Sequence, residues 1–173
     1  DTAATAATEP GDAPNRPAEG EPAPDFSLPT QAGDHPIRLS DFRGKQAVVL
    51  YFYPKDDTPG CTAEACSFRD HEADLTKEHA VVLGVSIDPL PSHEKFTAKH
   101  NLNFPLLSDE TADVAKMYGV WKEKNLYGRR SWGVARTTFW IGPDRRIRKI
   151  YKKVDTARHA EDILTDLRGA HAK

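Results

Sequence analysis

Ala47-Val48-Val49-Leu50-Tyr51-Phe52-Tyr53-Pro54-Lys55-Asp56-Asp57-Thr58-Pro59-Gly60-Cys61-Thr62-Ala63-Glu64-Ala65-Cys66 is the stretch on which the fold turns. It opens with a continuous apolar run, Ala47 to Tyr53, the pattern of a strand covered on both faces. Pro54 has no N–H to give to a ladder and is expected to close that strand. Thr58-Pro59-Gly60 is turn chemistry. From Thr62 onward Ala65, Phe68 and Leu75 fall at helical spacing, which predicts a helix that follows Gly60 and runs to about Lys77. Cys61 is therefore expected where a buried strand hands over to a helix N-terminus.

That placement has chemical consequences. The first N–H groups of a helix have no partners and its dipole favours negative charge there, so a cysteine at such a place is favoured as thiolate, the nucleophilic form. Cys66 lies five residues on. In an intact helix two such residues point to different sides, with Cα atoms roughly 8–9 Å apart by helix geometry. A disulfide needs Cα atoms within about 7 Å. A bond between the two cysteines therefore requires the first turns to unwind. We read the spacing as a cycle: attack in the folded state, bridging in a locally unwound one.

Pro54-x-x-x-Thr58-x-x-Cys61 resembles the peroxidatic motif of peroxiredoxins, and the second cysteine five residues later resembles the PrxQ (bacterioferritin-comigratory-protein) subfamily. Gly133-Val134-Ala135-Arg136-Thr137-Thr138-Phe139 resembles the segment that carries the family's active-site arginine. The similarity runs from about Pro24 to the C-terminus. It implies an α/β, thioredoxin-like fold: a central mixed sheet flanked by helices, with an N-terminal β-hairpin. It also implies reduction of hydroperoxides and regeneration by thioredoxin or a similar dithiol reductant.

On this resemblance Cys61 is the attacking thiolate and Cys66 the resolving thiol, which condenses with the sulfenic acid left by attack. The hydroxyl of Thr58 both donates and accepts, and can hold thiolate and peroxide oxygen together. Arg136 is the permanent cation that stabilises the thiolate and the leaving oxygen. Pro54 shields the site and shapes the backbone. No metal, haem or flavin is called for, and the expected unit is a monomer. Taken without the resemblance, each residue has a plainer reading: a buried structural cysteine, a small helix residue, a turn threonine, a surface ion pair. Two rivals differ in kind. A general thiol–disulfide oxidoreductase fits poorly, because four residues separate the cysteines and not two. A redox-sensing module would oxidise once and not turn over.

Composition agrees with this class. At 173 residues the length suits one domain, and 38% hydrophobic content with a net charge of −2 suits a globular core with a polar tail. Near-neutral charge gives no reason to expect nucleic acid as a partner. No apolar run approaches the ~18 residues of a membrane span. Two cysteines are too few for a disulfide scaffold. Residues 1–20 are Ala, Thr, Pro and Glu without a large apolar side chain and are expected to be a flexible tail, with residues 21–173 forming the domain. The chain begins with Asp1. An exported protein whose signal was removed and a cytoplasmic protein with a cloning boundary both remain open.

Along the chain, Phe26–Leu28 and Ile37–Leu39 read as an outer hairpin around Gly33-Asp34, and residues 40–44 as a turn. Ala80–Ile87 is a second continuous apolar run, so strand, helix, strand implies parallel pairing with a right-handed crossover. Pro89 to about His100 is expected to be helical. Asp109 can cap a helix whose Val114, Met117 and Tyr118 share a side, with Gly119 as its stop. Val120 to Trp132 reads as a polar connection. Thr137–Ile141 and Ile147–Tyr151 flank the turn 142–145. Ala160, Ile163, Leu164 and Leu167 mark the clearest helix.

Glu64 suits the helix dipole and is given no chemistry. Trp121, Trp132 and Trp140 are read as packing. The basic run Arg145 to Lys149, with Lys152 and Lys153, reads as a solvated strand face. Cys61, Cys66 and His71 are scattered around one helix and do not converge on a metal.

Overall fold

The computed structural model describes residues 17–171. The elements, in chain order, are β1 (Ser27–Leu28), β2 (Ile37–Arg38), β3 (Ala47–Phe52), α1 (Pro59–Asp70), α2 (Glu72–Lys77), β4 (Ala80–Ser86) and α3 (Leu90–His100), then β5 (Leu106–Ser108), α4 (Asp113–Met117), β6 (Trp121–Leu126), β7 (Arg129–Val134), β8 (Thr137–Ile141), β9 (Ile147–Tyr151) and α5 (His159–His171). The central sheet has the order β5-β4-β3-β8-β9. β3 pairs parallel to β4 and antiparallel to β8, so the sheet is mixed as expected.

Burial explains why β3 is central. All six of its residues are buried. Val48, Leu50 and Phe52 face one core layer, with Val114, Tyr118 and Phe139. Val49, Tyr51 and Tyr53 face the other, with Cys61 and Phe68 of α1, Phe96 of α3 and Ile163 and Leu167 of α5. The period-2 alternation of a strand thus gives each face its own helices. β1 and β2 form the small antiparallel N-terminal hairpin.

Several expectations need correction. The helix of the opening stretch starts at Pro59, not after Gly60, because proline suits the first helical position, where its missing N–H costs nothing. It also does not run unbroken to Lys77: His71, at φ −112° and ψ 11°, separates α1 from α2, and its Nδ1 lies 2.9 Å from the Ser67 carbonyl. Residues 39–42 form a 3-10 turn. The stretch from Trp121 is a β-hairpin, β6 with β7, and not a polar connection. Its outward side chains are polar, and Trp121 stacks on Trp132 with ring centroids 6.5 Å apart. The short strand β5 had no sequence expectation; three residues carry no period.

Met117 is exposed while Val114 and Tyr118 are buried, so the α4 face is narrower than expected. The N-cap of α4 is Ala112, not Asp109, but Asp109 serves the first turn from three residues before it: its carboxylate oxygens accept from the N–H groups of Val114 and Ala115 at 3.2 and 2.9 Å. The basic run is only partly solvated, since Arg145 and Arg146 donate to the carbonyls of Ala23 and Gly20 at 3.1 Å each. The expected tail falls mostly outside the described residues; at its last position Gly20 donates to the Ile147 carbonyl at 2.7 Å.

Candidate active site

Cys61 is the third residue of α1, and Thr58 is the N-cap, with extended backbone. The first intrahelical bond of α1 runs from Thr62 N–H to the Thr58 carbonyl at 2.8 Å. The N–H groups of Gly60 and Cys61 precede it and belong to the unpaired first turn. The sulfur is buried against the Tyr51 face of β3. The expected hand-over from buried strand to helix start is therefore what the chain builds.

Arg136 arrives from the far side of the sequence, in the link between β7 and β8. Its Nη2 lies 3.4 Å from Cys61 Sγ, and its Nη1 donates to Glu64 Oε1 at 2.6 Å. One guanidinium thus bridges sulfur and carboxylate. Burial alone would make the guanidinium easier to deprotonate, but Glu64 and Cys61 beside it outweigh that and hold it cationic. Gly60 lets the group come this close, because a Cβ there would sit 3.1 Å from Nη2.

Glu64 was given no chemistry, and the structure corrects this. It is one turn after Cys61 on the same face, fully buried, and its Oε2 has no hydrogen-bond partner among the described residues. Desolvation of this enclosed carboxylate outweighs the pull of Arg136 and raises its pKa to about 7. The signal available in the sequence was the spacing: i and i+3 on a helix share a side. His159 Nε2 lies 3.8 Å from Glu64 Oε2, but burial and then Arg136 push its pKa down to about 4, so at neutral pH the two do not form an ion pair. Its firm contact is with Thr138 Oγ1 at 2.7 Å.

Glu64 sets a pH dependence. Its folded pKa lies above the ordinary value of 4.5. The folded state then holds more protons than the unfolded one between those values, and stability falls as pH rises through that window. The fall is at most on the order of 3 kcal/mol. His159 opposes it: its folded pKa of about 4 lies below the ordinary 6.5, so its own contribution to stability rises with pH across the lower part of the same window. In denaturant titrations from pH 5 to 8 the stability of Glu64→Gln should therefore rise more steeply with pH than that of the parent, the difference being the Glu64 fall. An equal slope in the variant would remove Glu64 as its cause.

The remaining site residues fall close by. The Thr58 hydroxyl donates to the Lys55 carbonyl at 2.9 Å. Its one hydrogen is used there, which leaves the hydroxyl an acceptor and corrects the expectation that it donates as well. Pro54 is half-buried directly after Tyr53. Cys66 is half-buried, on the same unbroken helix as Cys61, and both cysteines are free. Tyr51, stacked on Phe68 at 4.7 Å, closes the site below; burial, then the charges of Glu64 and Cys61, keep its hydroxyl protonated.

Residues 20–150 match the AhpC/TSA family. The chain is 46% identical over 145 residues to a putative peroxiredoxin bcp of Coxiella burnetii, covering 84% of this chain and 95% of that protein. It is 44% identical over 156 residues to peroxiredoxin Bcp of Bacillus subtilis, covering 89% and 97%. Among solved structures, a cysteine-to-serine mutant of PrxQ from Xylella fastidiosa superposes with a TM-score of 0.83 at 38% identity, covering 91% of this chain and 99% of that one. The Xanthomonas campestris bacterioferritin comigratory protein, described for its alkyl peroxide reduction activity, gives 0.80 at 38% identity, covering 86% and 92%.

Proposed function

The chain belongs to the AhpC/TSA family, among its Bcp/PrxQ peroxiredoxins, and on that premise we propose the residue roles of its reaction cycle. It is a thiol-dependent peroxidase that takes hydroperoxides as substrate and a thioredoxin-type dithiol as reductant.

Cys61 attacks as the thiolate. Its sulfur displaces alkoxide, or hydroxide from hydrogen peroxide, from the distal peroxide oxygen. The product is Cys61 sulfenic acid, and the leaving oxygen takes a proton to become alcohol or water. Arg136 stabilises the anionic sulfur and the charge that moves onto the leaving oxygen. Thr58 accepts the peroxide O–H, and Pro54 covers the approach. Cys66 then condenses with the sulfenic acid, releasing water and closing a Cys61–Cys66 disulfide. An external dithiol reopens it by exchange. Each role lies within one chain, which supports a monomer as the working unit.

The observation that carries this reading is the 3.4 Å contact between Arg136 Nη2 and the sulfur of a helix-start cysteine. Peroxide decay coupled to oxidation of a thioredoxin tests it. Many turnovers per protein are expected, whereas a single oxidation without turnover would favour a sensor. The resolving role is tested separately. After one equivalent of peroxide, mass spectrometry should find an intramolecular Cys61–Cys66 bridge. Intermolecular dimers alone would overturn that assignment.

A further inference from the structure

The carboxyl ends of β3, β4 and β5 meet the start of α3 in a buried polar cluster that the reaction cycle above does not use. At its centre is the Asp56 carboxylate, 6% exposed. Oδ1 accepts from the Tyr53 hydroxyl at 2.6 Å. Oδ2 accepts from Ser92 Oγ at 2.8 Å and faces His93 Nδ1 at 2.7 Å. His93 is fully buried, and its Nε2 lies 3.0 Å from the Leu107 carbonyl. A carbonyl only accepts, so Nε2 carries a hydrogen, and the Nδ1–carboxylate contact holds another. The Asp56 N–H donates to Asp88 Oδ2 at 2.8 Å, which Ser86 Oγ also reaches at 2.6 Å.

Ligand atoms of Asp56, Asp88 and His93 all lie within 4.8 Å of one another, a spacing that would suit a cation. The Asp56 oxygens, however, are already taken by three donors. The cluster is complete as a hydrogen-bonded clasp.

Its position gives it a task. Between Tyr53 and Cys61 the chain passes Pro54, Lys55, Asp56, Asp57, Thr58, Pro59 and Gly60, and Asp56 is the one buried side chain among them. Asp57 follows at φ +62°, in the left-handed region that aspartate enters more readily than most residues, and turns the chain toward Thr58 and α1. The loop that presents Thr58 and the first turn of α1 thus has one buried side chain tying it to the core, beside the Asp56 N–H on Asp88 and the exposed pairing of Asp57 with Lys99.

The geometry points to Asp56 and His93 as positioning residues for the peroxidase reaction: their clasp holds the Thr58–Cys61 loop in the attack arrangement. This rests on the attacking role of Cys61 proposed above. It acts through geometry and leaves the charges at the sulfur unchanged.

The test uses the full chain in a Cys66→Ser background, where no resolving thiol competes. Cys61 sulfenic acid is followed by stopped-flow and trapping with a sulfenate-specific reagent, across pH. Asp56→Asn and His93→Gln are each expected to slow its formation about tenfold or more, as a displaced reacting group does. The pH profile should keep its midpoint and drop evenly. Ser92→Ala removes one of the three donors and should cost about threefold, which keeps the proposal testable should the stronger variants fail to fold. Lys99→Ala removes only the exposed pair with Asp57 and should leave the rate within about twofold. In the reduced protein, amide exchange at residues 57–62 should quicken in the clasp variants alone. Folded clasp variants with unchanged rates, or a loss that shifts the pH profile, would overturn the proposal. A background protein that traps no sulfenic acid would sink the peroxidase reading instead. The exchange data would then judge the clasp by themselves, since unaltered exchange at 57–62 refutes it.

Discussion

Cys61→Ser is expected to abolish peroxide turnover. A serine hydroxyl at the third position of α1 would keep the shape of the site, but it does not ionise at neutral pH, and neither Arg136 nor the open N–H groups of the first turn can make it a comparable nucleophile. The loss should be at least about 10³-fold, in line with removal of the attacking group from other enzymes that work through a covalent intermediate. The variant should also trap no sulfenic acid after peroxide and form no Cys61-dependent disulfide. Serine nearly matches cysteine in shape, so the fold should be kept, and thermal stability, which reads the modest cost of a buried hydroxyl, serves as the control. Turnover at the parent rate in this variant would remove the assignment on which the mechanism stands.

Arg136→Lys is expected to lower the second-order rate of Cys61 oxidation by about 10² to 10³, the cost of losing a preorganised donor aimed at developing charge. The substitution keeps the charge, so the loss comes from geometry. Arginine reaches Glu64 through Nη1 and the sulfur through Nη2 at the same time. A lysine ammonium is one point on a flexible stem and satisfies one partner at a time. The buried carboxylate, with no other donor to Oε1, is the stronger competitor, and the sulfur is left without its cation. Stopped-flow measurement with hydrogen peroxide checks this; a rate within twofold of the parent would rule the arginine out.

Much of the architecture was legible because it rests on period and run length. The apolar runs at Ala47 and Ala80 gave two central strands and their parallel pairing, and the i, i+3, i+4, i+7 series from Ala160 gave α5. β6 and β7 were not legible. Most of their described side chains are exposed, so no alternation between apolar and polar marks them as strands. Cys61 and its helix start were local features and could be read. Arg136 lies 75 residues away and was placed by resemblance alone, because no period connects it to the sulfur. Glu64 was misjudged for a different reason: its residue type and its expected first-turn position suit an ordinary solvent-facing carboxylate, but α1 starts at Pro59, which puts Glu64 beyond the first turn, and the packing of α5 against α1 with Arg136 beside it makes it a buried one. The Asp56–His93 pair was invisible for the same cause, since four separate elements supply its partners.

Cys61 and Glu64 ride on one turn of α1, and Arg136 depends on both. Any motion that carries the sulfur toward Cys66 also withdraws the carboxylate that steadies the guanidinium. On the cycle proposed above, the enzyme dismantles its own reception site while it is loaded, and rebuilds it only when the dithiol has been restored. Such an interlock makes a second oxidant wait its turn, and ties protection of the sulfur to the speed with which the coil reseals.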